Sequence, residues 1–173
     1  MSTQKTTWAI DPSHSEITFK VKHMMISTVT GHFLDYTGSI ETESEDFKNA
    51  DIRFTAKIDS ISTKNADRDG HLKSDDFFNA EAYPELTFVS KSFDGETLTG
   101  DLTIRDVTKE VALDVEFNGV AVDPYGQTKA GFEITGEISR KEFNLSWNAV
   151  TEAGSIVVSD KVKLQLEAQF VKQ

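Results

Sequence analysis

The chain has 173 residues and a formal net charge of −11, from 18 Lys and Arg against 29 Asp and Glu. This length is typical of one domain, and the negative charge predicts no nucleic-acid partner because it repels a phosphate backbone. A mean hydropathy of −0.38, with no run of about 18 apolar residues, excludes an integral membrane segment, and the lack of Cys excludes disulfides and Cys-ligated metals.

The first eight residues lack the basic start and the apolar stretch that a secretory signal requires. We therefore expect a cytoplasmic protein, or a periplasmic one if the sequence is that of a trimmed mature form. The rest of the chain contains no linker composition and no low-complexity tract, so we predict a single domain over residues 1–173.

Apolar residues recur at every second position in segment after segment, which is the pattern of strands with one buried face. The clearest segments, in chain order, are 16–22, 52–58, 98–104, 111–117, 132–138 and 162–170. Weaker patterns predict further strands at 28–33, 36–42 and 86–93. We therefore predict eight or nine antiparallel strands.

Turn signals separate several of these segments. Asp94-Gly95, Asn118-Gly119 and the longer stretch 123–126 supply residues suited to tight turns, and we predict a hairpin at each. Residues 63–78 break the two-residue period, and their Thr and Asn caps and early acidic residues predict a short helix near residues 67–74. A second single turn is expected at residues 44–49.

Strands of this number, each with one polar face, must hide their inner faces and their edges. Closure into a barrel is favoured over two stacked sheets because the predicted strands are long. An eight-stranded barrel is either filled by side chains or wide enough for one slender ligand. Five positions that are predicted to face inward carry a small or a polar residue and not a large apolar one. They are Ala56, Gly100, Gly136, Ala168 and His23. Glycine also occurs where strands bend or bulge, and for Gly100 and Gly136 we favour this explanation over space left for a ligand.

The opening of the chain, W-A-I-D-P-S-H-S-E-I-T-F-K-V-K-H at residues 8–23, resembles the start of YceI-like proteins. Further segments follow in that family's order, at 29–33, 60–63, 68–72, 76–78, 83–88, 100–104, 107–109, 138–140 and 158–160. The chain is therefore similar to the YceI-like family over most of its length. Asp106 departs from the family pattern, which usually has Gly at this position. For the stretch 144–148 the family gives no firm expectation.

The resemblance implies an all-β fold, an extended eight-stranded antiparallel lipocalin-like β-barrel with one or two short helices. It also implies an apolar pore that binds, transports or stores a polyisoprenoid or similar long-chain lipid, with no catalysis, no cofactor and no metal. A homodimer is a further option. The candidate ligand-binding residues share predicted inward faces or their flanks and are Phe19, Val21, His23, Phe33, Phe54, Phe88, Leu102, Leu113, Val115, Phe132, Ile134, Leu164 and Leu166.

Two other functions stay open at this point. One is an enzyme that acts on an isoprenoid lipid or quinone inside the pore, for which His23 would be the titratable group. The other is a filled barrel that serves as an interaction module. Asp11, Ser13 and His14 include the residue types of a hydrolase triad, but neighbours on one turn cannot align nucleophile, base and oxyanion hole.

Two further groups of polar residues have structural interpretations that we favour. The four histidines, His14, His23, His32 and His71, lack the spacing of a compact metal site. Arg68 with its neighbour Asp69 offers either a clamp for a phosphate head group or a structural pair within a helix docked on one barrel end. The second interpretation is favoured.

Overall fold

The computed structural model describes residues 5–24, 26–43, 47–143, 145 and 158–173. Within these ranges the strands are β1 (Thr6–Ile10), β2 (Glu16–His23), β3 (Ser27–Phe33), β4 (Tyr36–Thr42), β5 (Asp51–Lys57), β6 (Ile61–Ser62), β7 (Glu85–Phe93), β8 (Thr97–Ile104), β9 (Val107–Val122), β10 (Thr128–Ser139) and β11 (Val158–Lys172). The α-helix is α1 (Ala66–Lys73), and 3₁₀ turns lie at Pro12–His14, Ile58–Ser60 and Arg140–Phe143. None of the helices in the described ranges is long and apolar enough to cross a membrane.

Eight strands close into an antiparallel barrel in the order β1-β4-β5-β7-β8-β9-β10-β11, and β11 pairs back to β1. Strands β2, β3 and β6 extend this sheet at one end. β11 pairs with β1 near Phe170 and with β2 near Leu166, because the turn at Pro12–His14 bends the chain between β1 and β2. β1/β2, β3/β4 and β5/β6 are therefore three bent strands of one barrel, and the predicted fold class is confirmed.

Every predicted strand is present, and two short strands, β1 and β6, were not predicted. The hairpin predicted at Asn118-Gly119 is wrong, because both residues lie inside β9. Gly119 pairs with Gly131 and Phe117 with Phe132, so Asn118 is the extra residue of a β-bulge. Gly119 has a φ of +105°, and the bulge uses the glycine for the same reason that a turn would.

The other two hairpins are confirmed. In each, an Asp side chain accepts hydrogen bonds from the backbone of the loop. Asp94 binds the N–H groups of Glu96 and Thr97 at 2.9 and 2.7 Å, and Asp123 binds those of Tyr125 and Gln127, both at 2.9 Å. These backbone bonds help to hold the pKa of both carboxyls below the usual value.

The predicted helix is also confirmed, since α1 begins after the cap Asn65, whose side chain accepts the N–H of Arg68 at 3.0 Å. Arg68 and Asp69 both bind Thr63: Arg68 Nε donates to the Thr63 hydroxyl at 2.7 Å, and that hydroxyl donates to Asp69 at 2.6 Å. The two charged residues therefore anchor the helix, as the structural interpretation proposed. Of the turn expected at 44–49, residues 44–46 lie outside the described residues, and Ala50 N–H bonds to Phe47 O at 3.1 Å.

One end of the barrel interior is filled by aromatic rings. The ring of Phe47 lies 5.2 Å from Trp8, 5.3 Å from Phe117 and 5.2 Å from Phe132. Phe132 in turn lies 5.9 Å from Phe170. These five rings, here called the aromatic cluster, pack where the β9–β10 hairpin emerges. The space at this end is therefore occupied by the protein's own side chains.

Candidate functional site

The barrel encloses an apolar cavity of about 190 Å³, here called the lumen. For comparison, a cavity of about 150 Å³ in another protein stays dry and binds benzene. The residues around it are apolar except for Thr18, Arg53 and Arg140. A space of this size with apolar walls favours an apolar guest over ordered water, which needs polar partners.

The two-residue period of the strands explains why the wall is apolar. Along β8, Leu98, Leu102 and Ile104 are buried, and all three line the lumen. The alternate residues Thr97, Thr99 and Thr103 are only partly buried, on the opposite face. Local alternation therefore places apolar groups inside on strand after strand.

Ten of the thirteen candidate ligand-binding residues line the lumen, namely Phe19, Val21, Phe33, Phe54, Phe88, Leu102, Leu113, Ile134, Leu164 and Leu166. Three do not. Phe132 belongs to the aromatic cluster, and Val115 packs against the core. His23 lies at the end of β2, where its carbonyl accepts the N–H of Ile26 at 3.2 Å. The structure therefore does not place His23 against the lumen as the sequence analysis expected.

Part of the wall comes from outside the strands. Leu72 of α1, together with Phe77 and Phe78 just after it, lines the lumen, and Phe78 meets the Phe33 ring at 6.2 Å. None of these three residues is among the candidate ligand-binding residues inferred from the sequence. The two adjacent phenylalanines that follow a polar helix were the sequence signal that could have indicated this part of the wall.

Glycines on the inner face make room for neighbouring side chains. A Cβ on Gly31 would collide with the ring of Phe19, and one on Gly136 would collide with Leu113. At Gly100 the added atom would lie 2.5 Å from the Phe88 ring, and a bulge in β7 lies beside it. The bulge interpretation therefore holds at Gly100. At Gly31 and Gly136 the decisive contact is a side chain packed over the backbone.

Replacing Gly31 by Ala is expected to destabilise the protein by about 1–3 kcal/mol, because the new methyl group must displace the Phe19 ring in a packed wall. The matched control is Gly131→Ala on β10, where the added Cβ would lie 3.6 Å from Asn118, an ordinary contact. Denaturant unfolding of both variants measures the difference. Equal losses in the free energy of unfolding for the two variants would contradict the close approach of the Phe19 ring to Gly31.

Arg140 is the charged group buried deepest in the described wall, with 3% of its surface exposed. Its Nε donates to Ser159 O at 2.8 Å, and its Nη1 donates to Leu145 O. Burial lowers the pKa of Arg140, and the nearby charge of Asp160 opposes that shift. The guanidinium stays protonated in proteins, but it is bound to backbone carbonyls and contributes almost no polar surface to the lumen, so the aliphatic part of Arg140 lines the cavity at the end away from the aromatic cluster. Arg140 was not among the residues that the sequence pattern indicated.

The histidines have local partners rather than a shared one. His14 Nδ1 lies 2.8 Å from Asp11, which also accepts from Lys129 at 3.0 Å. The hydrogen bond with His14 is the main cause that lowers the pKa of Asp11, ahead of the bond from Lys129. His71 lies 2.8 Å from Asp76. Among the described residues no three His, Asp or Glu side chains converge as metal ligands.

Residues 8–170 match the profile of the YceI-like domain. The chain belongs to the YceI family. A UPF0312 protein of Staphylococcus aureus (strain USA300) is 38% identical over 166 residues, which cover 95% of this chain and 97% of that protein. The solved YceI protein of Campylobacter jejuni is 37% identical, with a TM-score of 0.73 over 88% of this chain and 90% of its own. The resemblance described from the sequence is confirmed.

A more distant solved structure shares the fold. It is described as a polyisoprenoid binding domain from Saccharophagus degradans implicated in plant cell wall breakdown. It is 15% identical to this chain, with a TM-score of 0.70 over 96% of this chain and 98% of its own. At this identity the likeness establishes a common barrel architecture.

Asp106 and the stretch 144–148, which depart from the YceI pattern or have no counterpart in it, lie in two different parts of the barrel. Asp106 occupies the second position of the two-residue loop between β8 and β9, and the positive φ of this loop, +56°, falls on Arg105 instead. A positive φ at the first loop position alone matches a type II′ turn, so this YceI chain does not need Gly at 106. In the stretch 144–148, Leu145 is buried and lines the lumen, and the other residues lie outside the described ranges.

Proposed function

We propose that this YceI-family protein binds a long-chain lipid of the polyisoprenoid class in its lumen and serves the storage or transport of that lipid. The observation that carries the proposal is the apolar lumen inside a closed barrel, with Arg140 towards one end and the aromatic cluster filling the other. The description of the Saccharophagus degradans domain, which has the same fold, supports the choice of lipid class.

The apolar wall of the lumen favours a long hydrocarbon chain as the guest. Each buried CH₂ group contributes about 0.8 kcal/mol, so a long hydrocarbon gains far more by burial than a compact molecule does. Ordering a flexible chain offsets much of that gain, which makes the fit of length and width the main source of selectivity.

The wall favours a binding protein over an enzyme. Its polar residues within the described ranges are Thr18, Arg53 and Arg140, and Arg140 binds backbone carbonyls. A hydrolase or transferase would require a nucleophile and a base at hydrogen-bond distance from each other. The lumen lining described here contains no such pair.

Native mass spectrometry of the gently purified full chain tests this function. We expect the protein mass plus one tightly bound lipid mass, and we expect solvent extraction to remove the addition. The chain mass alone in every preparation, together with failure to take up an added polyprenol, would overturn the proposal. Conversion of the added lipid to a new mass would instead favour the enzyme hypothesis.

A further inference from the structure

The tip of the β2–β3 hairpin presents apolar side chains to solvent. Ile26 is 82% exposed and Met24 is 39% exposed, while Ile26 N–H bonds to His23 O at 3.2 Å and closes the turn. Val21, shortly before this tip, lines the lumen. The hairpin therefore carries an apolar projection away from the barrel end that the aromatic cluster fills.

Four lysines lie on the outer face of the sheet beside this tip. Lys20 and Lys22 belong to β2, Lys161 and Lys163 belong to β11, and together they are called the lysine face. Lys20 lies directly opposite Lys163, an arrangement of like charges that destabilises a sheet. Within the described residues, none of these four ammonium groups has a carboxylate oxygen within 4.0 Å.

The carboxylate nearest in sequence to the lysine face has other partners. Asp160 accepts from the Ser139 hydroxyl at 2.6 Å and from the Lys141 N–H at 3.1 Å. Lys161 acts on the charge of Asp160 only through space, without an ion pair. Lys22 Nζ donates to the hydroxyl of Thr28 at 3.3 Å, a neutral partner. With Asp160 beside Lys161 and Glu137 opposite Lys163, the four lysines exceed the two adjacent carboxylates, so the lysine face keeps a net positive charge.

Acidic residues of the same sheet lie both beside the lysine face and farther along the strands. Beside it, Glu137 of β10 is directly opposite Lys163 of β11. Glu116, Glu133, Glu167 and Glu16 are opposite one another across β9, β10, β11 and β2. A hydrogen bond with Glu116 is the main cause that raises the pKa of Glu133. Glu16 and Lys20 are four positions apart on β2, which places their Cα atoms about 13 Å apart at strand spacing. This separation exceeds a Debye length of about 8 Å at physiological salt, so this row of glutamates acts only weakly on Lys20 at that salt.

We propose that the hairpin tip and the lysine face dock this protein on an anionic lipid bilayer. Ile26 and Met24 enter the interface between head groups and acyl chains, and the lysines contact the anionic head groups. A bilayer is favoured over a soluble polyanion because the cations flank a highly exposed aliphatic side chain. The inference does not depend on which molecule occupies the lumen.

Flotation with vesicles of phosphatidylcholine, with or without phosphatidylglycerol, tests the docking. The full-length protein is expected to bind only vesicles that contain phosphatidylglycerol, and less at high salt. The triple variant K20Q/K22Q/K163Q is expected to bind about 100-fold more weakly, at roughly fivefold per lysine. The control K5Q/K91Q/K172Q has the same net charge, changes lysines outside the lysine face, and is expected to stay within about twofold.

Ile26→Ser separates bilayer docking from simple attraction of anions. It is expected to weaken vesicle binding at both salt concentrations while leaving the sheet intact by circular dichroism. Equal binding to vesicles without phosphatidylglycerol, or equal losses in the control triple variant, would overturn the proposal. So would binding of soluble polyphosphate that matches vesicle binding and is unaffected by Ile26→Ser. Lipid-extracted protein is expected to dock as well as untreated protein, so this test can fail independently of the proposed lumen ligand.

Discussion

Solvent extraction of the bound lipid is expected to lower the Tm of this protein by roughly 5–10 °C. A ligand present at 100 times its Kd stabilises the folded state by about 2.7 kcal/mol, and for a chain of this size each kcal/mol shifts Tm by about 2–4 °C. The emptied lumen also loses contacts along its apolar wall. Differential scanning calorimetry before and after extraction measures the shift.

The control for extraction is restoration of the original Tm when a polyprenol is added back. Protein carried through the same solvent steps without loss of its bound mass should melt as before. Identical melting temperatures with and without the bound mass would mean that the barrel is completed by its own side chains. That result would favour the interaction-module hypothesis.

Substituting Leu113→Trp is expected to reduce the amount of copurified lipid at least tenfold while the barrel still folds. Leu113 is buried, lines the lumen and packs over Gly136, so a larger ring at this position extends into the space left for the guest. Overpacking costs about 1–3 kcal/mol, which a folded domain of this size can tolerate. Native mass spectrometry reports the bound lipid, and circular dichroism reports the sheet.

Ala112→Trp is the matched control, because Ala112 is the neighbouring residue of β9 and lies exposed on the outer face. It is expected to leave the lipid content unchanged. If the Leu113 variant does not fold, Leu166→Trp on β11 introduces the same ring into the lumen from another strand. Full lipid content in folded inward variants would show that the lipid binds elsewhere.

The direction of side chains was predictable wherever a strand is regular. Leu102, Leu164 and Leu166 were assigned to the inside from the two-residue period, and all three line the lumen. The same rule placed Phe132 inside correctly, yet its ring belongs to the aromatic cluster. The two-residue period shows on which face of the sheet a side chain lies. Whether the barrel interior is open or filled at that level depends on residues from other strands.

Local sequence signals were ambiguous where one backbone geometry serves two purposes. Asn118-Gly119 predicted a hairpin, and the same positive φ instead makes the bulge in β9. Nothing in the chain before residue 118 indicates that β9 continues, because continuation depends on pairing with β10. His23 was expected inside by extending the phase of β2, but it lies where the strand ends in a turn.

The sequence by itself determined the all-β class, the inward face of each long strand and membership of the YceI family, since alternation and ordered motifs are properties of neighbouring residues. The tertiary structure alone decided that the aromatic cluster fills one end, that Arg140 lies in the wall towards the other, and that Lys20 and Lys163 face each other on the outside. Each of these depends on strands far apart in the chain meeting in one register. Packing and electrostatics act on the distances that this register creates.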